Sequence, residues 1–451
     1  MIVFRGGTVV SAKGSEKKDV YVEHGRIVPP GEAETVIDVT GKLLFPGFID
    51  AHTHLDMPVS GTVTADSFPT GTAAAIAGGT TAILDFATQD RGHTLAEALD
   101  LWHQRADGRC ACDFGFHMAV TDWNDRTKKE LSAMADAGIT SFKAYMAYDA
   151  LRLDDDDLCA FLAAAGELGG IVGCHCELGD AVNANVARLL AEGKTDPLWH
   201  PRSRPNAVEA AAVERFLALA REGSGRPWVV HLSTREGLSA IDAARAAGQA
   251  VLVETCPQYL TLTDEVYARP DFEGAKFVCS PPIRSAADVR TLWRAVEDRR
   301  VDILSTDHCS FHFRGQKERG RGDFSKIPNG LPGIELRPAL LWTAGVASGR
   351  LTAPDMARLL SEAPAKAFGL WGRKGALEPG FDADIVVWDP AFEGPVDPAA
   401  LETMCDYSPW EGTRLCGRAE RVYLRGRLAA ENGRCVRRGG GDYLPRAVGS
   451  L

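Results

Sequence analysis

The chain is short of several things, and each shortage removes a class of function. It holds eleven cysteines, an odd number, with no Cys-x-x-Cys pair. That removes zinc-finger and thioredoxin-type motifs and gives no disulfide framework. Cys159, Cys256 and Cys279 sit in apolar runs, where free cysteine behaves as a small buried hydrophobe. Positive charge is not in excess: 50 Lys and Arg face 61 Asp and Glu, a net charge of −11 without a basic face. A nucleic-acid binder is therefore not expected. Residues 67–84 are uncharged, but Pro69 and the glycines and threonines among them make a poor membrane span. The first residues lack the basic and apolar regions of a signal peptide. No G-x-G-x-x-G or Walker loop opens a helix. A reducing, cytoplasmic setting and a small-molecule substrate are the expectations, with no membrane partner.

What the chain does have is length and order. Its 451 residues, 45% hydrophobic and 25% charged, allow a large core and more than one structural unit. Residues 1–48 read as short strands punctuated by Gly6-Gly7, Gly25 and Gly41, and residues 383–390 and 421–436 read the same way. Residues 1–48 and 372–451 are therefore expected to form one small β-sandwich domain built from both ends. Between them, residues 49–371 alternate short apolar runs with Ala- and Leu-rich segments of helical period. The eight runs are GFIDAH, TTAILDFA, DFGFHMAV, TSFKAYMAY, GGIVGCHC, RPWVVHLS, AVLVETCP and VDILSTDH. Eight strands alternating with helices predict a parallel (β/α)8 barrel of TIM type, α/β in class, with an open doubly wound sheet as the alternative. The acidic run Asp154 to Asp157 precedes an apolar helix and is expected to cap it.

In such a barrel the chemistry lies at the C-terminal ends of the strands. Those ends carry His52 and His54 on the first run, Lys143 on the fourth, His175 on the fifth, His231 on the sixth and Asp307 on the eighth. In a strand His52 and His54 share a face and Thr53 points away. Cys174 and Cys176 point away from the face of His175. His308, beside Asp307, is an alternative ligand. Lys143 lies inside an apolar strand, where burial drives its amine toward neutrality. A neutral amine can add carbon dioxide to give a carbamate, an anionic group able to bridge two metals.

The stretches G-F-I-D-A-H-T-H-L-D-M, F-K-A-Y-M-A-Y, C-H-C-E, V-H-L-S, C-S-P-P-I-R, S-T-D-H-C-S-F and I-P-N-G-L-P-G-I-E together resemble the cyclic amidohydrolase branch of the amidohydrolase superfamily. Within it the likeness is to dihydropyrimidinase and D-hydantoinase, and it runs from the N-terminal strands to about Gly426. The resemblance implies hydrolysis of the cyclic amide of dihydropyrimidines or 5-substituted hydantoins to N-carbamoyl amino acids. It implies two divalent metals, zinc in general, with manganese or cobalt not excluded by the ligand types. His52, His54 and Asp307 would hold the more buried ion, His175 and His231 the second. Lys143, carboxylated on its amine by CO2, would bridge them. Asp307 would also act as general base and acid, and Tyr148 would steady the oxyanion. Ser280 and Asn329 match positions whose backbone groups bind the ring amides. Relatives of this kind are commonly homotetramers, a homodimer being the other expectation, and the tail after residue 436 is expected to be extended or to contact a subunit.

Leu55 and Asp56 follow His52-Thr53-His54, so the arginine with which dihydroorotases grip a carboxylate is absent. Allantoinase uses the same metal set and is the alternative activity. A non-catalytic scaffold is the alternative class, disfavoured because all six ligand positions are filled. The loops at residues 57–66 and 145–153 are expected to shape the substituent pocket. Arg152 would either admit a polar substituent or face solvent and the acidic run. Ser310 stands where relatives often carry proline.

Overall fold

The computed structural model describes residues 1–59 and 61–450; Ser60, in the loop at 57–66, and Leu451, at the end of the tail, lie outside the described residues. Eight parallel strands follow one another round the molecule in chain order. They are β1 (Phe48–Thr53), β2 (Thr80–Thr88), β3 (Asp113–Ala119), β4 (Ser141–Tyr145), β5 (Ile171–His175), β6 (Arg226–Val229), β7 (Leu252–Thr255) and β8 (Ile303–Leu304). Each coincides with one of the eight apolar runs. Their residues are buried on both faces, which is why the runs read as continuously apolar rather than alternating.

Helices Leu95–Ala106, Asp125–Asp136, Asp155–Glu167, Asn206–Glu222, Arg235–Ala246 and Ala286–Glu297 occupy the Ala- and Leu-rich segments between them. Their starts are chemically marked. Thr94 and Glu97 form a reciprocal capping box, and Asp154 accepts from the Asp157 amide with Asp155, Asp156 and Asp157 in the first turn. The acidic run thus serves the helix dipole, as expected.

The barrel is closed by side chains where the ladder stops. β1 and β8 end the strand order and share no regular pairing. Instead, the Asp50 carboxylate accepts from the Thr306 amide at 3.1 Å and from its hydroxyl at 2.7 Å. Arg337, wholly buried, donates from Nη1 to the carbonyls of Ile49 and Leu304, 2.8 Å each, and from Nη2 to Thr80. Just beyond, the His54 amide donates to the His308 carbonyl at 2.8 Å. These contacts bring His52 and His54 alongside Asp307.

The two ends of the chain interleave in a separate β domain. Strands Ile2–Arg5, Val20–Glu23, Arg26–Val28 and Thr35–Asp38 form one sheet. A seven-stranded sheet joins N-terminal strands, among them Leu43–Pro46, to Ile385–Pro395 and Arg414–Leu424. Phe4, Val20 and Val22 of the first sheet share a core with Leu44, Ile385 and Val387 of the second. Leu43–Pro46 then runs through Gly47 into β1. A Cβ on Gly47 would lie 2.0 Å from the Thr81 hydroxyl, so only glycine lets the domains meet this closely.

The tail is extended, and it packs under its own barrel. The Leu444 amide donates to Phe114 at 2.7 Å, Thr140 donates to the Ala447 carbonyl, and the buried Arg446 reaches Ser141. It covers the ends of β3 and β4 opposite the histidines.

Candidate metal centre and amide site

His52 is the fifth residue of β1 and His54 follows its end. Their rings lie on one side, centroids 5.2 Å apart, while Thr53 turns away and donates to Asp85 of β2 at 2.9 Å. The Phe86 ring stacks against His54, and Trp228 lies beneath both Phe86 and His52, giving the cluster an apolar floor.

The remaining candidates arrive from the ends of the other strands, except that Lys143 comes from within its strand and not from the end where the sequence placed it. Lys143 is in the middle of β4, one strand from β5, whose last residue is His175. His231 follows β6 by two residues and Asp307 follows β8 by three. His231, Asp307 and Tyr148 have φ of 38°, 51° and 68°, a left-handed backbone uncommon for such residues and typical of functional sites.

Two groups of donors result. Asp307 Oδ1 lies 3.2 Å from both His52 Nε2 and His54 Nε2. His175 Nδ1 lies 3.0 Å from His231 Nε2. Each group has a glutamate behind it. Glu254 Oε1 accepts from His52 Nδ1 at 2.7 Å, and Glu177 Oε2 from His175 Nε2 at 2.8 Å. In the neutral ring each glutamate therefore selects the tautomer whose other nitrogen is a bare lone pair, free for a metal. On His52 that lone pair faces the Asp307 oxygen. Either a proton or a metal ion lies between that nitrogen and the carboxylate oxygen.

The electrostatics agree with a cation site. Burial favours neutral imidazole at His54, where it outweighs Asp307 and lowers the ring to about 4. It does the same at His175 and His231. Burial opposes charge on His52 too, but Glu254 and Asp307 overcome it and raise the ring to about 9. Asp307 stays ionised: burial would raise it, but His52 and His54 hold it well below the usual carboxylate range. Burial lowers the Lys143 amine, against the pull of Asp307 and Glu254. His52 Nε2, His54 Nδ1 and His231 Nδ1 are buried with no hydrogen-bond partner. Neutral imidazoles at His54, His175 and His231 beside the ionised Asp307 are donors suited to a divalent transition metal, and the carboxylates that draw a proton onto His52 would equally draw a cation there. His52, His54 and Asp307 stand close enough to share one ion.

His308 is turned elsewhere. Its Nε2 contacts Asp66 at 3.2 Å and its Nδ1 accepts from the Gly333 and Ile334 amides. Tyr148 stands over His175, centroids 5.1 Å apart, with the Arg204 guanidinium 5.6 Å from its own ring. Burial raises its phenol, while Arg204 and the neighbouring Ser280 lower it. Among the described residues, no protein hydrogen bond engages the backbone amide or carbonyl of Ser280 or of Asn329. Arg152 pairs with Asp149 at 3.0 Å and Asp180 at 2.7 Å, so it meets aspartates other than those of the helix-capping run. It lines a cavity of about 580 Å³ together with Arg91, Trp123 and Asp180, and none of the clustered histidines lines that cavity.

Glu254, Glu177 and Arg204 are the participants that sequence reasoning did not single out. Glu254 had a signal of the same kind as Lys143, a charged residue inside an apolar strand.

The amidohydrolase family profile matches residues 43–428. The chain belongs to the amidohydrolase family. It is 45% identical over 458 residues to a D-hydantoinase of Streptomyces coelicolor, an alignment covering 99% of this chain and 98% of that one. A D-hydantoinase of Ralstonia pickettii is 42% identical over 440 residues, 96% of each chain. The solved structure of a dihydropyrimidinase from Brevibacillus agri superposes with a TM-score of 0.98 at 41% identity, covering 100% of this chain and 99% of the other. This amidohydrolase thus shares both its barrel and its terminal β domain with that dihydropyrimidinase structure.

Proposed function

We propose that this amidohydrolase opens the cyclic amide of dihydropyrimidines and 5-substituted hydantoins, releasing N-carbamoyl amino acids. The observation that carries the reading is the pairing of two donor groups, each backed by its own glutamate, at the mouth of a barrel whose relatives are hydantoinases. His52, His54 and Asp307 would hold one divalent ion and His175 and His231 a second. Lys143, carboxylated by CO2, would bridge them, and zinc is the ion we favour. Once bound, such a pair supplies a water acidified to near neutrality and a polarised carbonyl.

The protein's own groups do the rest. Asp307, ionised and at the centre of the cluster, takes the proton of the attacking water and returns it to the leaving ring nitrogen. Tyr148 keeps its phenolic proton and donates a hydrogen bond to the oxygen that gains charge. The free backbone groups of Ser280 and Asn329 hold the ring amides. The leaving nitrogen stays tethered through the rest of the ring, so the product is one molecule and reversal is chemically open. The cyclic form also explains why the site needs no separate grip on a departing amine.

We place the domain division after residues 48 and 371. Cytoplasmic location accords with eleven unpaired cysteines, eight of them buried. Among the described residues, no helix is long and apolar enough to cross a membrane. Assembly as a homotetramer, or a homodimer, is proposed from the family resemblance. A substrate panel of dihydrouracil, hydantoin, 5-aryl-hydantoins and allantoin, followed by loss of ultraviolet absorbance, tests the reading. Turnover of allantoin alone would replace it with allantoinase, and no turnover of any ring by metal-loaded protein would remove it.

A further inference from the structure

The run Val278 to Pro281 is held in an unusual way. Three of its four carbonyls are taken by buried side chains from three different segments. Lys317 Nζ donates to the Val278 carbonyl at 2.7 Å, His200 Nε2 to that of Cys279 at 2.8 Å, and the Tyr259 hydroxyl to that of Pro281 at 2.7 Å. Only the Ser280 carbonyl has no protein partner among the described residues. Lys317 also donates to the Pro328 carbonyl at 3.0 Å, immediately before Asn329, and the Gly330 amide donates to Val278 at 3.0 Å. One ammonium thus joins the two segments whose free backbone groups face the substrate in the reading above.

Lys317 is 0% exposed and, among the described residues, has no carboxylate partner. Burial lowers its amine to about 8, with Cys279, Cys309 and Cys405 as its titratable neighbours. Burying an ammonium without a counter-ion is costly, and here two carbonyl oxygens, with the face of the Phe311 ring 5.9 Å away, compensate it. The fold has cheaper ways to hold two loops together. A rigid point charge gives something else: a fixed separation between two carbonyls that both turn toward it.

We propose that Lys317, with His200 and Tyr259, is a positioning residue that sets the spacing and aim of the Ser280 and Asn329 main chains, and so determines how tightly the ring amide is bound. The inference rests on the proposed ring-opening activity. It assigns these three side chains no contact with the substrate. Each acts by occupying the carbonyl next to the one the ring uses, so that the ring cannot be offered the wrong acceptor.

The test is steady-state hydrolysis of dihydrouracil by zinc-loaded full-length protein, wild type against Lys317→Met, with metal content and circular dichroism measured on the same samples. The methionine keeps the stem and removes the donor. KM rises about tenfold or more while kcat and metal content stay within about threefold. A fall in kcat and metal content at unchanged KM, the mark of a merely structural role, overturns the assignment, as does no change at all. If Lys317→Met does not fold, the isosteric Tyr259→Phe decides: a KM raised about threefold supports the assignment and an unchanged KM overturns it. Failure of the wild-type protein to open any cyclic amide would remove the ring-opening reading and this inference with it. An active wild type with an unaltered Lys317→Met removes the inference alone.

Discussion

Glu254 Oε1 accepts from His52 Nδ1 at 2.7 Å, and the same oxygen takes the His231 backbone amide at 3.1 Å. One carboxylate on β7 therefore reaches both donor groups of the candidate centre. It orients a ring on β1 and fixes the left-handed turn that carries His231. Replacing Glu254 by glutamine keeps the size and removes the charge. Metal affinity is expected to fall by roughly 10- to 100-fold, as for other carboxylates behind a ligating histidine. Competition with a calibrated chelator measures it, and unaltered affinity would remove Glu254 from the centre.

Tyr148→Phe separates chemistry from metal binding. The ring still packs on His175, so metal content is expected to stay unchanged. kcat is expected to fall on the order of 10²–10³, the usual cost of deleting an oxyanion donor. Equal losses of metal and of turnover would place Tyr148 in a structural role instead.

The closure of the barrel gives a stability prediction. Arg337→Met leaves the carbonyls of Ile49 and Leu304 without their shared donor and Asp50 without its cation. The expected loss is about 3 kcal/mol or more, read from the shift of the urea midpoint. Arg337→Lys is expected not to restore it, since one compact ammonium cannot reproduce the rigid fork whose Nη1 reaches both carbonyls and whose Nη2 reaches Thr80.

Glu335 makes stability depend on pH. Burial raises its carboxyl to about 8; the Glu402 and Thr403 amides oppose this, and the charges of Glu402 and Asp66 add to it. The folded state therefore keeps a proton that the unfolded chain loses above the ordinary glutamate value. This contribution is fully present below about pH 4.5 and is lost as pH rises toward 8. Glu335→Gln is expected to flatten the decline between pH 5 and 8 by roughly 1–3 kcal/mol, measured as the difference between wild-type and variant unfolding curves.

Much of this architecture is legible in the sequence because a barrel writes itself twice. Strands buried on both faces become apolar runs, and the residues that interrupt those runs at one end are chemical. His52, His54, Lys143, His175, His231 and Asp307 are visible for that reason. The members that support them are harder to see. Glu254 looks like one more strand residue until its neighbour across the barrel is known. Arg337 and Lys317 act on backbone carbonyls, which carry no side-chain signature. His308 and Asp307 are adjacent in sequence and equally good ligands on paper. Only the turn at Asp307 and the contact of His308 with Asp66 separate them.

The central claim is that side chains from five strands and the turns after them hold two cations across a CO2-modified lysine. The most direct measurement is an anomalous difference map from crystals grown with zinc and bicarbonate. Two peaks are expected, one within bonding distance of His52, His54 and Asp307 and one of His175 and His231, with continuous density for a carboxylate on Lys143 between them. A single peak, or two peaks flanking an unmodified Lys143 amine, would contradict the account.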